Sequence, residues 1–270
     1  MRLNAGMLIE DRTAEAWPLL EEAADLAEAH GLREDVAWID YGRAEAGFVT
    51  GEWDRAWDAA IRALELAERN AYHRAAARTW SVLAPMALAR GRRDVLERAA
   101  AWFDRYRGIF PPSPYAKLMV GAMDLRFAAA GVRPPDESAG AGAAAAWDEW
   151  QGGGSVWDAA ETLAEGWIAR GELDDVRALL AAMARWHDHP LTGDLGRGTH
   201  ALIEALLHLA EWRVEPAAST ARRAAEAFRR CSAPWWLAKA IRVLEATGAA
   251  TPELAAEAAE IERSLAIANA

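Results

Sequence analysis

Asp158, Glu161 and Glu165 are spaced i, i+3 and i+7 in a stretch whose apolar residues recur at helical intervals. That spacing sets the three carboxylates along one helix face. Two uses stand open: a solvated face, or a surface that receives a basic or amide-rich peptide. Paired carboxylates beside tryptophan platforms are also the equipment of glycoside hydrolysis, and the chain has 14 tryptophans. Two histidine groups invite a metal reading. His187, Asp188 and His189 precede Pro190 in an expected loop. His200, Glu204 and His208 recur at i, i+4 and i+8. The outer two of that second set are about 12 Å apart along a helix, too far for one ion. Ordinary packing is therefore preferred, and no metal, cofactor or catalytic residue is assigned.

Other chemistries are excluded by what the 270 residues lack. The only lysines, Lys117 and Lys239, do not follow a glycine, so there is no phosphate-binding P-loop. A net charge of −11, with arginines interleaved among carboxylates, is wrong for neutralising nucleic-acid phosphates. One cysteine, Cys231, permits neither an internal disulfide nor a multi-cysteine metal site, and it is read as a reduced core thiol. No G-x-S-x-G elbow and no H-E-x-x-H string occurs. No run of 18 apolar residues and no signal-peptide layout is present, so the expected location is the cytoplasm, without membrane contact.

The elements that carry these residues follow from an internal repeat. Gly51 opens G-E-W-D-R-A-W, and Gly91, Gly131 and Gly171 follow at steps of 40. One step before Gly51 lies Asp11, and Ala16 and Trp17 then align with Ala56 and Trp57. One step after Gly171 lies Glu211, and a shorter last unit turns at Gly248. Eight residues before the turns stand Leu3, Arg43, Leu83, Met123, Leu163 and Ile203. Only Arg43 breaks the apolar column. Offsets of 2, 4 and 8 before each turn describe the buried side of a helix that ends there.

A second helix follows each turn. Trp53, Ala56, Trp57, Ala60, Ala63, Leu64 and Ala67 form an i, i+3, i+4, i+7 stripe within 52–70, and 13–30, 92–107 and 173–187 repeat it. Each unit is a helical hairpin that cannot bury both apolar faces alone, so neighbours must stack. The expected fold is all-α: a right-handed α-solenoid of stacked hairpins with a repeat of about 40 residues, forming one domain over 1–270. The proline and glycine content of 132–155 marks either a degenerate repeat or a hinge, and Gly193–Gly198 reads as a glycine-rich loop. Thr251, Pro252 and Glu253 cap a final helix. Residues 1–10 supply about half a helix, so Leu3, Met7 and Leu8 form an uncovered edge suited to self-association.

The turn Gly51, Trp53, Ala56 and the small-residue helix before it resemble tetratricopeptide repeats. The 40-residue step and the string A-A-E-A-F-R-R-C-S-A-P-W-W-L-A-K-A-I-R-V-L-E at 224–245 are similar to the MalT-type helical region of bacterial signalling ATPases and transcription activators. That resemblance implies a concave groove lined by the first helix of each hairpin, here by Trp38, Tyr41, Glu45, Arg78, Asp158, Glu161 and Glu165. It implies a non-catalytic scaffold or sensor module for a protein or peptide partner, a basic one by the chemistry of the stripe. The two-lysine carboxylate clamp of some family members is missing. The alternatives are a toroid-like hydrolase with paired carboxylates and a self-associating structural module. Against the toroid stands the expectation that six and a half hairpins are too few to close.

Overall fold

The computed structural model describes residues 13–106, 108, 114–134, 156–187 and 192–268. Among these residues the chain is all-α, with twelve helices and no strand. They are α1 (Thr13–Ala29), α2 (Arg33–Thr50), α3 (Trp53–Arg69), α4 (His73–Ala89), α5 (Arg93–Tyr106) and α6 (Pro114–Ala129). After the undescribed residues come α7 (Val156–Arg170), α8 (Leu173–Ala184), α9 (Asp194–Ala210), α10 (Val214–Arg230), α11 (Pro234–Ala246) and α12 (Pro252–Ser264). None of the helices is long and apolar enough to cross a membrane among the described residues. Residues 135–155 of the expected hinge lie outside the described residues, as do Leu3, Met7, Leu8, Asp188 and His189.

The turns between helices share one backbone device. Ten of the described helices end on a left-handed residue one or two positions past their last turn: Gly31, Gly51, Ala71 and Gly91 are 20 residues apart, and Gly131, Gly171, Trp212, Ser232, Gly248 and Ala266 continue the series. The following N–H reaches back to a carbonyl of the last turn, as in Leu32 to Ala27, Tyr72 to Ala67, Arg92 to Ala87 and Arg213 to His208, each at 2.8 Å. This 6→1 closure satisfies carbonyls the helix would otherwise leave bare. Glycine fits the left-handed region without a Cβ clash. Ala71, Trp212 and Ser232 adopt it at a cost of about 1–2 kcal/mol each. The expected turn at Glu211 is thereby shifted by one residue, to Trp212, because Glu211 is the C-cap of α9 and the left-handed position follows it.

Small residues set the helix spacing. A Cβ on Gly47 would stand 3.0 Å from the Ala56 Cβ, so α2 and α3 approach closely. Large rings fill the wider gaps: Trp53, Trp80 and Trp236 are fully buried. The columns at offsets 4 and 8 turn inward, with Leu83, Ala87, Met123, Phe127, Leu163, Trp167, Ile203 and Leu207 all buried. The offset-2 column is less uniform, running from buried Val49 to exposed Ala129 and Ala169. Arg43, the exception at offset 8, stays inside by pairing with Asp40 and Glu21 at 3.0 and 2.8 Å. The expected loop at Gly193–Gly198 is instead the start of α9. Gly196 and Gly198 lie in the helix because Trp157 and Phe228 press against them.

Contacts between alternate helices form a closed circuit. α2 packs on α4, α4 on α6, α6 on α7, α7 on α9 and α9 on α11, and α11 returns to α2. At the junction Phe48 meets Trp236 with ring centroids 5.1 Å apart, and Trp53 meets Trp235 at 5.3 Å. The C-terminal tail seals it. Arg90 Nε donates to the Leu265 carbonyl at 3.0 Å, and buried Leu265 reaches the turn at Gly51. The expectation that this chain has too few hairpins to close is corrected. Among the described residues six helices complete the circuit, because alanine-rich faces draw them close and the Pro234–Trp236 corner fills the last gap.

Candidate functional site

The three carboxylates of the stripe lie on α7, whose other side buries Trp157, Ala160, Leu163, Ala164 and Trp167 in the core. Gly166 lets α6 approach, since a Cβ there would be 2.6 Å from Leu125. That approach brings Arg126, near the end of α6, onto the stripe. Its Nη2 donates to Asp158 Oδ2 at 2.5 Å and to Thr162 Oγ1 at 2.6 Å, with both charged side chains almost wholly buried. The Thr162 hydroxyl donates in turn to the Asp158 carbonyl at 2.9 Å.

One helical turn further, α11 delivers Lys239. Its Nζ donates to Glu161 Oε1 and, at 3.3 Å, to Glu165 Oε1. The ammonium also stands 4.9 Å from the Trp235 ring centroid, within cation–π range. Glu161 is 1% exposed, and its Oε2 has no hydrogen-bond partner. Burial pushes its carboxyl up to about 7, with the Lys239 charge opposing and Glu165 and Asp158 adding to the rise. Burial also works against the Lys239 charge, but Glu161 and Glu165 more than offset it and hold that ammonium above its ordinary value. Glu165 remains exposed, and Lys239 keeps a quarter of its side chain in solvent. The stripe is therefore graded, from a sealed ion pair at Asp158 to an accessible carboxylate at Glu165.

The remaining expected positions fall on α2 and α4. Trp38 is half-buried and meets buried Tyr41 edge to face at 5.9 Å. Glu45, one turn on, is buried, and Arg78 on α4 is half-buried. Three residues that complete the stripe were missing from the sequence reading. Lys239 carries a signal, being one of two lysines in an arginine-rich chain. Arg126 carries a weaker one, a cation flanked by the apolar Leu125 and Phe127. Trp235 has none that separates it from core tryptophans.

His200 and His208 are half-buried at the core margin, while His187 is exposed. His200 Nε2 lies 3.3 Å from the Leu180 carbonyl, and its ring is 5.5 Å from that of His187. Burial holds His200 below its ordinary value. Among the described residues no group of three His, Cys, Asp or Glu is placed to hold a metal ion. No protein-family model matches the sequence, and no curated protein matches it.

Proposed function

We propose that this chain is a non-catalytic binding module, a tetratricopeptide-like solenoid whose inner helices take a basic protein or peptide partner. The carrying observation is Lys239. Its ammonium is cradled by Glu161, Glu165 and the Trp235 indole, so this face already solvates a primary amine in place of water. A partner's lysine or arginine meets the same chemistry at Glu165, which is open to solvent. The resemblance of the 40-residue step and of 224–245 to MalT-type regions supports a role in bacterial cytoplasmic signalling or transcription control, in which partner binding would change the circuit and relay a state to attached domains.

The test is fluorescence anisotropy with labelled basic, neutral and acidic peptides of equal length. Basic peptides bind, weaken with added salt, and lose most of their affinity to the folded Glu165→Lys variant. Equal binding of all three sets, or none, overturns the reading. A second reading draws on the closed circuit and on Glu161, whose carboxyl titrates near neutrality as a general acid requires. Release of p-nitrophenol from glycoside substrates, abolished by Glu161→Gln, would favour a toroid-like hydrolase over the binding module.

A further inference from the structure

A separate cavity of about 270 Å³ opens between α1 and α3, floored by α2. It lies among the first three helices and is independent of the α7 stripe. Its lining is Trp17 and Glu21 from α1, Arg43 from α2, and Arg55, Asp58, Ala59 and Arg62 from α3. The small Ala59 leaves the space, and the arginines and carboxylates decide what it suits.

Both signs of charge are present, and each has unused capacity. Arg43 spends Nη1 on Asp40 and Nη2 on Glu21, while its Nε is buried without a partner. Arg62 turns down to Asp40 at 3.2 Å. It does not pair with Asp58, one helical turn before it, although i, i+4 residues are neighbours. Asp58 is thus left exposed, with no hydrogen bond or ion pair. Arg55 pairs with Glu52 at 2.7 Å and lies 4.0 Å over the Trp17 ring, forming an aromatic and guanidinium wall.

Three arginines face Glu21, Asp58 and the underlying Asp40, so the cluster is close to neutral overall. A simple anion gains little from such a balance, and a simple cation gains no more. A ligand that carries both charges answers both at once: its carboxylate accepts from the guanidinium edge of Arg62 that Asp40 leaves open, and its ammonium donates to exposed Asp58. The volume equals that of about nine waters. This is below the usual range for drug-sized ligands and matches a small metabolite. We infer that the cavity between α1 and α3 is a binding site for a small zwitterion of the free α-amino-acid class, with the ligand's side chain set against Trp17.

The test is isothermal titration of the full chain with glycine, L-alanine, L-leucine, L-phenylalanine, L-arginine and L-glutamate. Acetate, phenylacetate and phenethylamine serve as single-charge controls. At least one amino acid binds saturably, and controls that lack either charge bind at least tenfold more weakly. Arg62→Gln and Asp58→Asn, both at exposed positions, each lose binding by tenfold or more with unchanged circular dichroism and unfolding midpoint. Absence of saturable heat with all six amino acids at 10-millimolar order, tight binding of a single-charge control, or undiminished binding by both variants overturns the inference.

Discussion

The Ala268 N–H donates to the Ala89 carbonyl at 2.8 Å, tying the end of the described chain to the end of α4. The two residues are 179 positions apart in sequence, and their bond makes the C-terminal tail a structural partner of α4. Leu265, fully buried beside Gly51, is the apolar anchor of that tail. Leu265→Ala should lower stability by about 2–3 kcal/mol. Urea unfolding followed by circular dichroism reads that loss, and in hydrogen–deuterium exchange the amides near Arg90 and Gly91 should exchange faster. A variant with native stability would show that the tail rests on the surface without holding it.

Trp212 is 88% exposed and left-handed at φ 59°. Its indole gains little burial there, while its Cβ bears the cost of the conformation. Trp212→Gly should raise the unfolding free energy by about 1 kcal/mol. Gly51→Ala should do the opposite, because φ is 81° and the new Cβ would stand 2.6 Å from Pro234 Cγ. Thermal melts of the two variants, moving in opposite directions from the native protein, check the pair.

The sealed ion pair gives a third expectation. Arg126→Met strips Asp158 of its guanidinium and leaves a carboxylate stranded in the core, at a cost of about 3–5 kcal/mol. Adding Asp158→Asn removes the stranded charge and should recover most of that loss. A double-mutant cycle by chemical denaturation measures it. Additive losses would mean that the two residues do not act as a pair.

Glu161 gives a pH signature. Its folded carboxyl titrates at about 7, above the ordinary 4.5, so the folded chain retains a proton that the unfolded chain gives up. That contribution to stability is complete below about pH 4.5 and is lost as pH rises through 7. Glu161→Gln cannot ionise, so its stability relative to the native protein should increase between pH 5 and pH 8. Urea midpoints at the two pH values decide it, and a pH-independent difference would contradict the assignment.

Helices were legible in the sequence wherever an apolar stripe met a glycine, as from Trp53 to Ala67 or before Gly171. The turns at Ala71, Trp212 and Ser232 were not, because a left-handed alanine, tryptophan or serine leaves no mark in composition. Gly196 and Gly198 misled in the other direction. Glycines that admit a neighbouring ring look, in one dimension, the same as glycines that break a helix. The carboxylate stripe was visible from spacing alone, since Asp158, Glu161 and Glu165 belong to one helix. Its cations were not, because Arg126 and Lys239 come from helices 32 and 74–78 residues away in sequence. Only the packing of α6 and α11 places them there. Closure was hidden for the same reason: the meeting of Phe48 with Trp236 joins two distant stretches, each of which reads as ordinary core.

The return of α11 to α2 bears on how such a chain can change in length. An open stack gains or loses a hairpin at either end while every other interface survives. Here each inner helix has a neighbour on both sides, so excising one unit would separate Phe48 from Trp236 and pull the tail from Ala89. Duplication or deletion of a single repeat, the ordinary route by which repeat proteins drift, would leave this molecule with two mismatched faces. Its unit number is set by geometry, and variation is channelled into side chains and turns.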